Sequence, residues 1–482
     1  MLAICQIRES PSGLSMPRFR QAKLLRRMRT PAPFLIHGRS HKPQYLFQGD
    51  VQMPQSMSPL YKKISRRLVP FLMLLYLIAF LDRSNISFAK LTMNHDLNIG
   101  DDLFGLAAGI FFLGYFLFEV PSNLALQRVG ARRWIMILMI IWGIVSVCTA
   151  FVPGTRTYLV LRFLLGSAEA GFYPGVILYL TFWLPPSVRS SVMAWFVTGI
   201  PLSSLIGAPV SNAILLHVHS SGLHGWQWLF ILEGSPAILL GALVFFLLPD
   251  RPQDVHWLSA EEKQTLQNDL QASAKHASHP SLLNAMRAQI SVLYWSLAYF
   301  FLMLGLYGLS FWIPTVLKSH GMSPESLGWA TALPYLAAIV GMILWSRSSD
   351  RRRERRFHLT AAYLTAAAGF LVAAFAPVSA IAIAGFALGA IGVLSAMPVF
   401  WSTSTMKLAG PLVAAHIAII NSIGNLGGFF GPTVMGWLHK VTSNYVAGLS
   451  SVAVFLTLGA FTVALLAKPS ELPIESPAIT RS

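Results

Sequence analysis

Charge is what this sequence of 482 residues has least of: Asp, Glu, Lys and Arg make up only 11% of it, against about 25% in an ordinary soluble domain. So few charges cannot solvate a globular surface. With 54% hydrophobic residues and a mean hydropathy of +0.58, the solvent implied is lipid, and the length bounds a number of membrane spans rather than of soluble domains. Cysteine is nearly missing. Cys5 and Cys148 exclude a disulfide framework and a cysteine-based metal site, and Cys148, inside a long apolar run, reads as a small buried hydrophobe. Acids are outnumbered by bases, 19 to 36, for a net charge of +17. The basic residues fall in short clusters between apolar runs, as in membrane proteins that set their orientation by charge, so nucleic acid is not an expected partner.

Residues 1–60 lack any apolar stretch long enough to span. They carry Arg18, Arg20, Lys23, Arg26, Arg27, Arg29, Arg39 and Lys42 against the acids Glu9 and Asp50, which reads as a disordered basic extension. A start at Met53 or Met57 and an Arg-rich transit peptide are alternatives, while the missing apolar core argues against a secretory signal. From Leu68 onward, runs of the roughly 20 apolar residues that cross a bilayer recur at 68–88, 103–125, 134–153, 157–181, 190–215 and 227–248. They resume at 290–316, 326–346, 358–377, 379–402, 411–438 and 446–467. The expected fold is therefore an all-α membrane protein of twelve transmembrane helices in two six-helix bundles, 61–249 and 290–467. Residues 250–289 form a linker and 468–482 a tail. Within the linker, Ser259 with Glu262 three residues on has the pattern of a capping box.

Lysine and arginine set the orientation. One set of alternate loops holds Arg128, Arg132, Arg133, Arg189, Arg251, Lys263, Arg351 and more; the other holds Lys90, Arg156, Lys318 and Lys440. Both termini are thus expected in the cytoplasm of a multi-pass protein of the cell's inner membrane. Basic clusters also recur at matching places in the two halves, Gln127-Arg128-Val129-Gly130-Ala131-Arg132-Arg133 and Asp350-Arg351-Arg352-Arg353-Glu354-Arg355-Arg356. Two related halves about a central site is a transporter architecture.

These loops resemble the signature of the major facilitator superfamily, with departures: Asn123 and Gln127 replace its opening glycine and aspartate, and Ser346 and Arg353 replace glycines in the second copy. Further segments carry the resemblance from about residue 60 to 467. They are Phe80-Leu81-Asp82-Arg83-Ser84-Asn85, Gly114-Tyr115-Phe116-Leu117-Phe118-Glu119-Val120-Pro121-Ser122-Asn123, Arg162-Phe163-Leu164-Leu165-Gly166-Ser167-Ala168-Glu169 and Asn421-Ser422-Ile423-Gly424-Asn425. Together they are similar to the anion:cation symporter branch, in particular bacterial tartrate, hydroxyphenylacetate and phthalate-type permeases.

Ionisable residues at membrane depth are costly and so are functional candidates. Here they are Asp82, Arg83, Glu119, Arg162, Glu169 and Glu233, all in the first half; the second offers the neutral Asn421, Ser422 and Asn425. Asp82 and Arg83 diverge by about 100°, while Arg162 and Glu169 share a helix face about 10 Å apart. The resemblance implies that the first-span Asp-Arg pair and the fourth-span Arg and Glu are functional groups. On that basis Glu169 and Asp82 are expected to carry the proton, and Arg83, Arg162, Asn421 and Asn425 to bind substrate. Glu119, Arg128, Asp350 and Arg351 read as gate or structural residues. Bland alternatives stand beside these: an interfacial Arg162, a static bridge from Asp82 and Arg83, a structural Glu233.

His217, His219 and His224 cluster on one loop without an acid or cysteine near in sequence, so no metal site is expected. The glycine-rich stretch 424–436 lacks a phosphate loop's lysine and reads as helix packing. The expected activity is proton-coupled uptake of a small organic anion by a monomer, with no cofactor beyond the proton gradient and no enzymatic chemistry. The partners are that anion, protons and the bilayer. The alternative is a proton-coupled exporter of a metabolite or drug.

Overall fold

The computed structural model describes residues 58–275, 282–352, 354–407 and 413–466. The expected N-terminal extension, the tail and residues 276–281 of the linker lie outside the described residues. All regular structure among the described residues is helical. Twelve helices have the length and composition to cross a membrane. They are α1 (Pro59–Asp96), α2 (Asp101–Val129), α3 (Ala131–Thr149), α4 (Thr155–Thr181), α5 (Trp195–His217) and α6 (Gly225–Leu247), then α7 (Ile290–Ser319), α8 (Pro324–Arg352), α9 (Arg356–Ala374), α10 (Ser379–Ser404), α11 (His416–Thr442) and α12 (Val446–Leu465).

Every expected span is present, and α1 is the one most extended. It begins at Pro59, where Ser58 caps it by accepting from the backbone of Tyr61 at 3.5 Å. Its first turns bury Tyr61, Ile64 and Leu68 while Lys62, Lys63, Arg66 and Arg67 face outward. That is an amphipathic helix entry, invisible to a search for continuous apolar runs. The linker carries the expected capping box: Glu262 N donates to Ser259 Oγ at 3.1 Å and Ser259 N to Glu262 Oε2 at 2.8 Å. The helix it starts, Ala260–Lys275, docks on α1 through Lys63 to Glu262 at 2.8 Å and a hydrogen bond from Tyr61 to Asp269. The bond from Lys63 lowers the Glu262 carboxyl pKa. Cys148 departs from expectation: it faces outward from α3 rather than into the core.

The two halves repeat one pairing scheme. Helix α1 packs on α5, α2 on α4 and α3 on α6; correspondingly α7 packs on α11, α8 on α10 and α9 on α12. The halves then meet through α2 on α11 and its counterpart α8 on α5. Six added to each number maps one set onto the other, so the repeat that is faint in the loops is plain in the packing.

Small residues set that meeting. Gly428, Pro432 and Gly436 recur every four residues on α11, one stripe of a helix face, and oppose Phe112, Gly105 and Asp101 of α2. We call the end bearing the α1–α2 and α11–α12 connections the far face and the opposite end the basic face. At the far face, Lys440 pairs with Asp102 at 2.7 Å, and His439 and Tyr445 meet Asp101 at 2.9 and 3.0 Å. Across α5 and α8, Asn212 donates to the Pro324 carbonyl at 2.9 Å.

A β-carbon at Gly436 would collide with the Asp101 carbonyl and lie 3.2 Å from the Gly105 α-carbon, backbone atoms that cannot swing aside. Gly436→Val should therefore destabilise the protein by about 1–3 kcal/mol, read as a lower melting temperature in detergent. Gly154→Val, at a position with no neighbour within 4 Å and extended backbone, should melt with the wild type. Equal melting of both variants would refute the close approach.

Candidate functional site

A cavity between the halves collects side chains from α1, α2, α4, α5, α7, α10 and α11. The space between these side chains, open in part to solvent, is about 500 Å³.

Arg83 dominates it. It projects from α1 next to the break at Asn85, with its guanidinium carbon 4.9 Å from the Phe80 ring, 5.0 Å from Phe111 and 5.5 Å from Tyr115. It donates to Glu169 Oε2 through Nη2 at 2.5 Å and Nε at 3.2 Å, and through Nη1 to the Tyr307 hydroxyl at 3.0 Å. Both bonds to Glu169 fall on one oxygen, and buried Oε1 has no partner among the described residues. Glu169 ends the first segment of α4, just before the interruption at Ala170 and Gly171. Gly166, one turn earlier, lets the Phe111 backbone approach where any β-carbon would collide, bringing α2 against α4.

Asp82 turns the other way, as adjacent helical residues must. Its Oδ1 accepts from Ser146 of α3 and, at 3.2 Å, from Asn85; Oδ2 is buried without a partner among the described residues. It does not line the cavity. Neither does Arg162, expected there as a substrate ligand. That side chain is fully buried behind Phe111, 5.0 Å from the ring. Its Nε reaches the Ala107 carbonyl at 3.4 Å, and Nη1 and Nη2 have no partner among the described residues. The interfacial alternative is excluded as well, and the expected binding contact is absent in this conformation because α4 presents that face to α2.

Asn421 and Asn425 of α11 do line the cavity. Asn421, however, spends its amide on Glu119 of α2 at 2.8 Å, and Ser422 donates to the other Glu119 oxygen at 2.5 Å. Glu119 thus joins the halves with both oxygens occupied. The remaining gate candidates lie elsewhere: Arg128 and Arg351 are exposed at helix ends, and Asp350 is 3.6 Å from Arg355 in its own loop. None of the three bridges the halves among the described residues, since α2 and α8 carry them out past the packed region.

Five tyrosines, Tyr76, Tyr115, Tyr173, Tyr299 and Tyr307, complete the lining and were not singled out from the sequence. A signal existed, because tyrosine favours membrane interfaces and these lie within spans. His224 lies 3.2 Å from Asp96, an acid distant in sequence; His224 also caps α6, which accounts for its place.

If Arg83 and Glu169 act as an energetic unit, removing one partner strands a buried charge, at about 3–5 kcal/mol. Glu169→Leu should lower the melting temperature sharply, and Arg83→Met with Glu169→Leu should recover most of the loss. Additive losses would show that the pair is not coupled.

Comparison with known proteins accords with this geometry. A protein of Agrobacterium vitis named "Putative tartrate transporter" is 47% identical over 436 residues, 90% of this chain and 97% of its own length. A "Quinolone resistance transporter" of Acinetobacter baumannii is 39% identical over 402 residues, 83% of this chain and 92% of its own. The crystal structure of a D-xylose-proton symporter shares the fold, with a TM-score of 0.67 at 17% identity, covering 83% of this chain and 97% of that one. The description Major Facilitator Superfamily matches residues 72–323 and again 295–481, and the chain belongs to that superfamily of membrane transporters.

Proposed function

We propose that this transporter takes up a small organic anion, a sugar acid, dicarboxylate or aromatic carboxylate, together with protons. The observation that carries the reading is Arg83 in the cavity wall, bonded to Glu169 through one carboxylate oxygen while the other is unpartnered. Arginine's planar fork suits a carboxylate. While Glu169 is ionised it holds that fork. A proton on Oε1 neutralises the acid, weakens its hold, and leaves Arg83 to a substrate carboxylate. Anion and proton then enter together, because either alone leaves an unbalanced charge at membrane depth.

Tyr307 steadies the guanidinium from the second half, so loading is felt across the boundary along which the halves rock. Asn425 and the tyrosines offer hydrogen bonds and ring faces to the rest of the anion. Asp82 is the second proton site. Glu119, with Asn421 and Ser422, is the tie towards the basic face that releases as the cavity opens there. Arg128, Asp350 and Arg351 support the α2 and α8 ends. In this reading the protein is a monomer of the cell's inner membrane, with both termini cytoplasmic by the basic-loop rule.

The test is uptake into proteoliposomes under an imposed pH gradient, screening tartrate, glucarate, galactonate, phthalate and hydroxyphenylacetate. Uptake of at least one should follow the gradient, and indifference of all to it would end the proton claim. Glu169→Gln should abolish gradient-driven uptake yet spare counterflow. The name of the quinolone-resistance relative and the aromatic lining favour a second reading, proton-coupled export. Efflux of a quinolone against its gradient, with no carboxylate uptake, would establish that instead.

A further inference from the structure

A further buried carboxyl, on α6, lies outside the cavity lining. Glu233 of α6 is 3% exposed and lies eight residues, about 12 Å along the axis, inward from Gly225 at the far face. Ser211 of α5 donates to its Oε1 at 2.6 Å, while Oε2 is buried without a partner among the described residues. Asp82 has the same form, with both its donors on Oδ1 and Oδ2 left empty. Asn85, on the turn next to Asp82, is fully buried with it.

Resting on the reading above, we propose that Glu233 is a further proton-carrying residue, on the far-face side of the cavity. The argument is one of charge count. The groups bonded to the two acids are hydroxyls and an amide, all neutral. Arg83 is committed to Glu169, and among the described residues no Lys, Arg or His forms an ion pair with Asp82 or Glu233. An ionised carboxyl with no cation paired to it is costly at membrane depth, so such a site favours the protonated acid. Each acid keeps one buried oxygen without a partner among the described residues, Oδ2 of Asp82 and Oε2 of Glu233, where a proton can sit. The other buried charged groups of this interior include Arg83 on α1 and Arg162 and Glu169 on α4; the contacts from α3 and α5 are the serines. At the outer end of α6, His224 and Asp96 stand 3.2 Å apart.

The rival account is a static tie between α5 and α6, and glutamine separates the two. Glu233→Gln preserves shape and the acceptor for Ser211 but cannot take a proton. In proteoliposomes of the full chain, with tartrate as probe, Glu233→Gln should cut gradient-driven uptake by about tenfold or more while counterflow stays within about twofold. Glu233→Asp should restore part of the driven uptake. Wild-type driven uptake in Glu233→Gln would overturn the proposal, as would loss of counterflow together with driven uptake in a variant that melts like the wild type. A second measurement needs no substrate: infrared difference spectra on a pH jump should show a protonated-carboxyl band that Glu233→Gln removes. An unchanged band in Glu233→Gln would overturn it equally. A wild type indifferent to the gradient would instead fail the proton-symport reading, and the infrared band would still decide whether Glu233 holds a proton.

Discussion

Ionised groups at membrane depth cost several kcal/mol each unless a partner or hydrogen bonds replace the lost water, and the interior of this protein is arranged around that cost. Arg83 and Glu169 meet the demand by direct pairing at 2.5 Å. Arg162 meets it poorly, with one long bond to a carbonyl and an aromatic face. Phe111 lies 5.0 Å from both guanidinium carbons, so one ring offers its electron-rich surface to two cations. That arrangement depends in turn on Gly166, because only a residue without a β-carbon lets the Phe111 backbone so close to α4. A packing detail and an electrostatic one are therefore the same feature.

Among the described residues, the buried Asp, Glu, Lys and Arg side chains all lie in the first half: Asp82, Arg83, Lys90, Glu119, Arg162, Glu169 and Glu233. The second half answers with neutral groups. Tyr307 accepts from the cation of that first half, and Asn421 and Ser422 donate to one of its carboxyls. A change of charge on the first half thus alters bonds that cross the boundary, while the second half undergoes no charge change of its own. Such division suits two bodies that rock against each other, since only one must carry the electrostatic cost of loading.

How far the sequence reveals this differs by feature. Spans are legible because the apolar run length is imposed by the bilayer, and adjacency in one helix was enough to foresee that Asp82 and Arg83 would face different ways. The capping box at Ser259 is legible because it is local. The partner of Glu119 is not, since Asn421 stands 302 positions away and nothing in either segment names the other. Arg162 was misplaced for a related reason: helical periodicity gives the face it shares with Glu169 but not which neighbour covers that face. Cys148 failed likewise, because an apolar run surrounded by lipid gives no clue to which of its sides is inward. Residues that are merely polar, such as Tyr307, escape a search built on formal charge.

The two ends of the cavity are held by different physics. At the far face, α2 and α11 approach until backbone meets backbone along Gly105 and Gly436, with ion pairs such as Lys440 and Asp102 at the rim. Exposed pairs of that kind contribute about 0–1 kcal/mol and fade with salt, so the seal there is chiefly packing. Towards the basic face, the tie at Glu119 is made of two hydrogen bonds to a buried carboxyl, each worth about 1.5–3 kcal/mol if that group is ionised. Packing depends on area and shape, whereas bonds to a carboxyl depend on its charge. The tie towards the basic face therefore depends on the charge of Glu119, whereas the seal at the far face depends chiefly on the fit of α2 against α11.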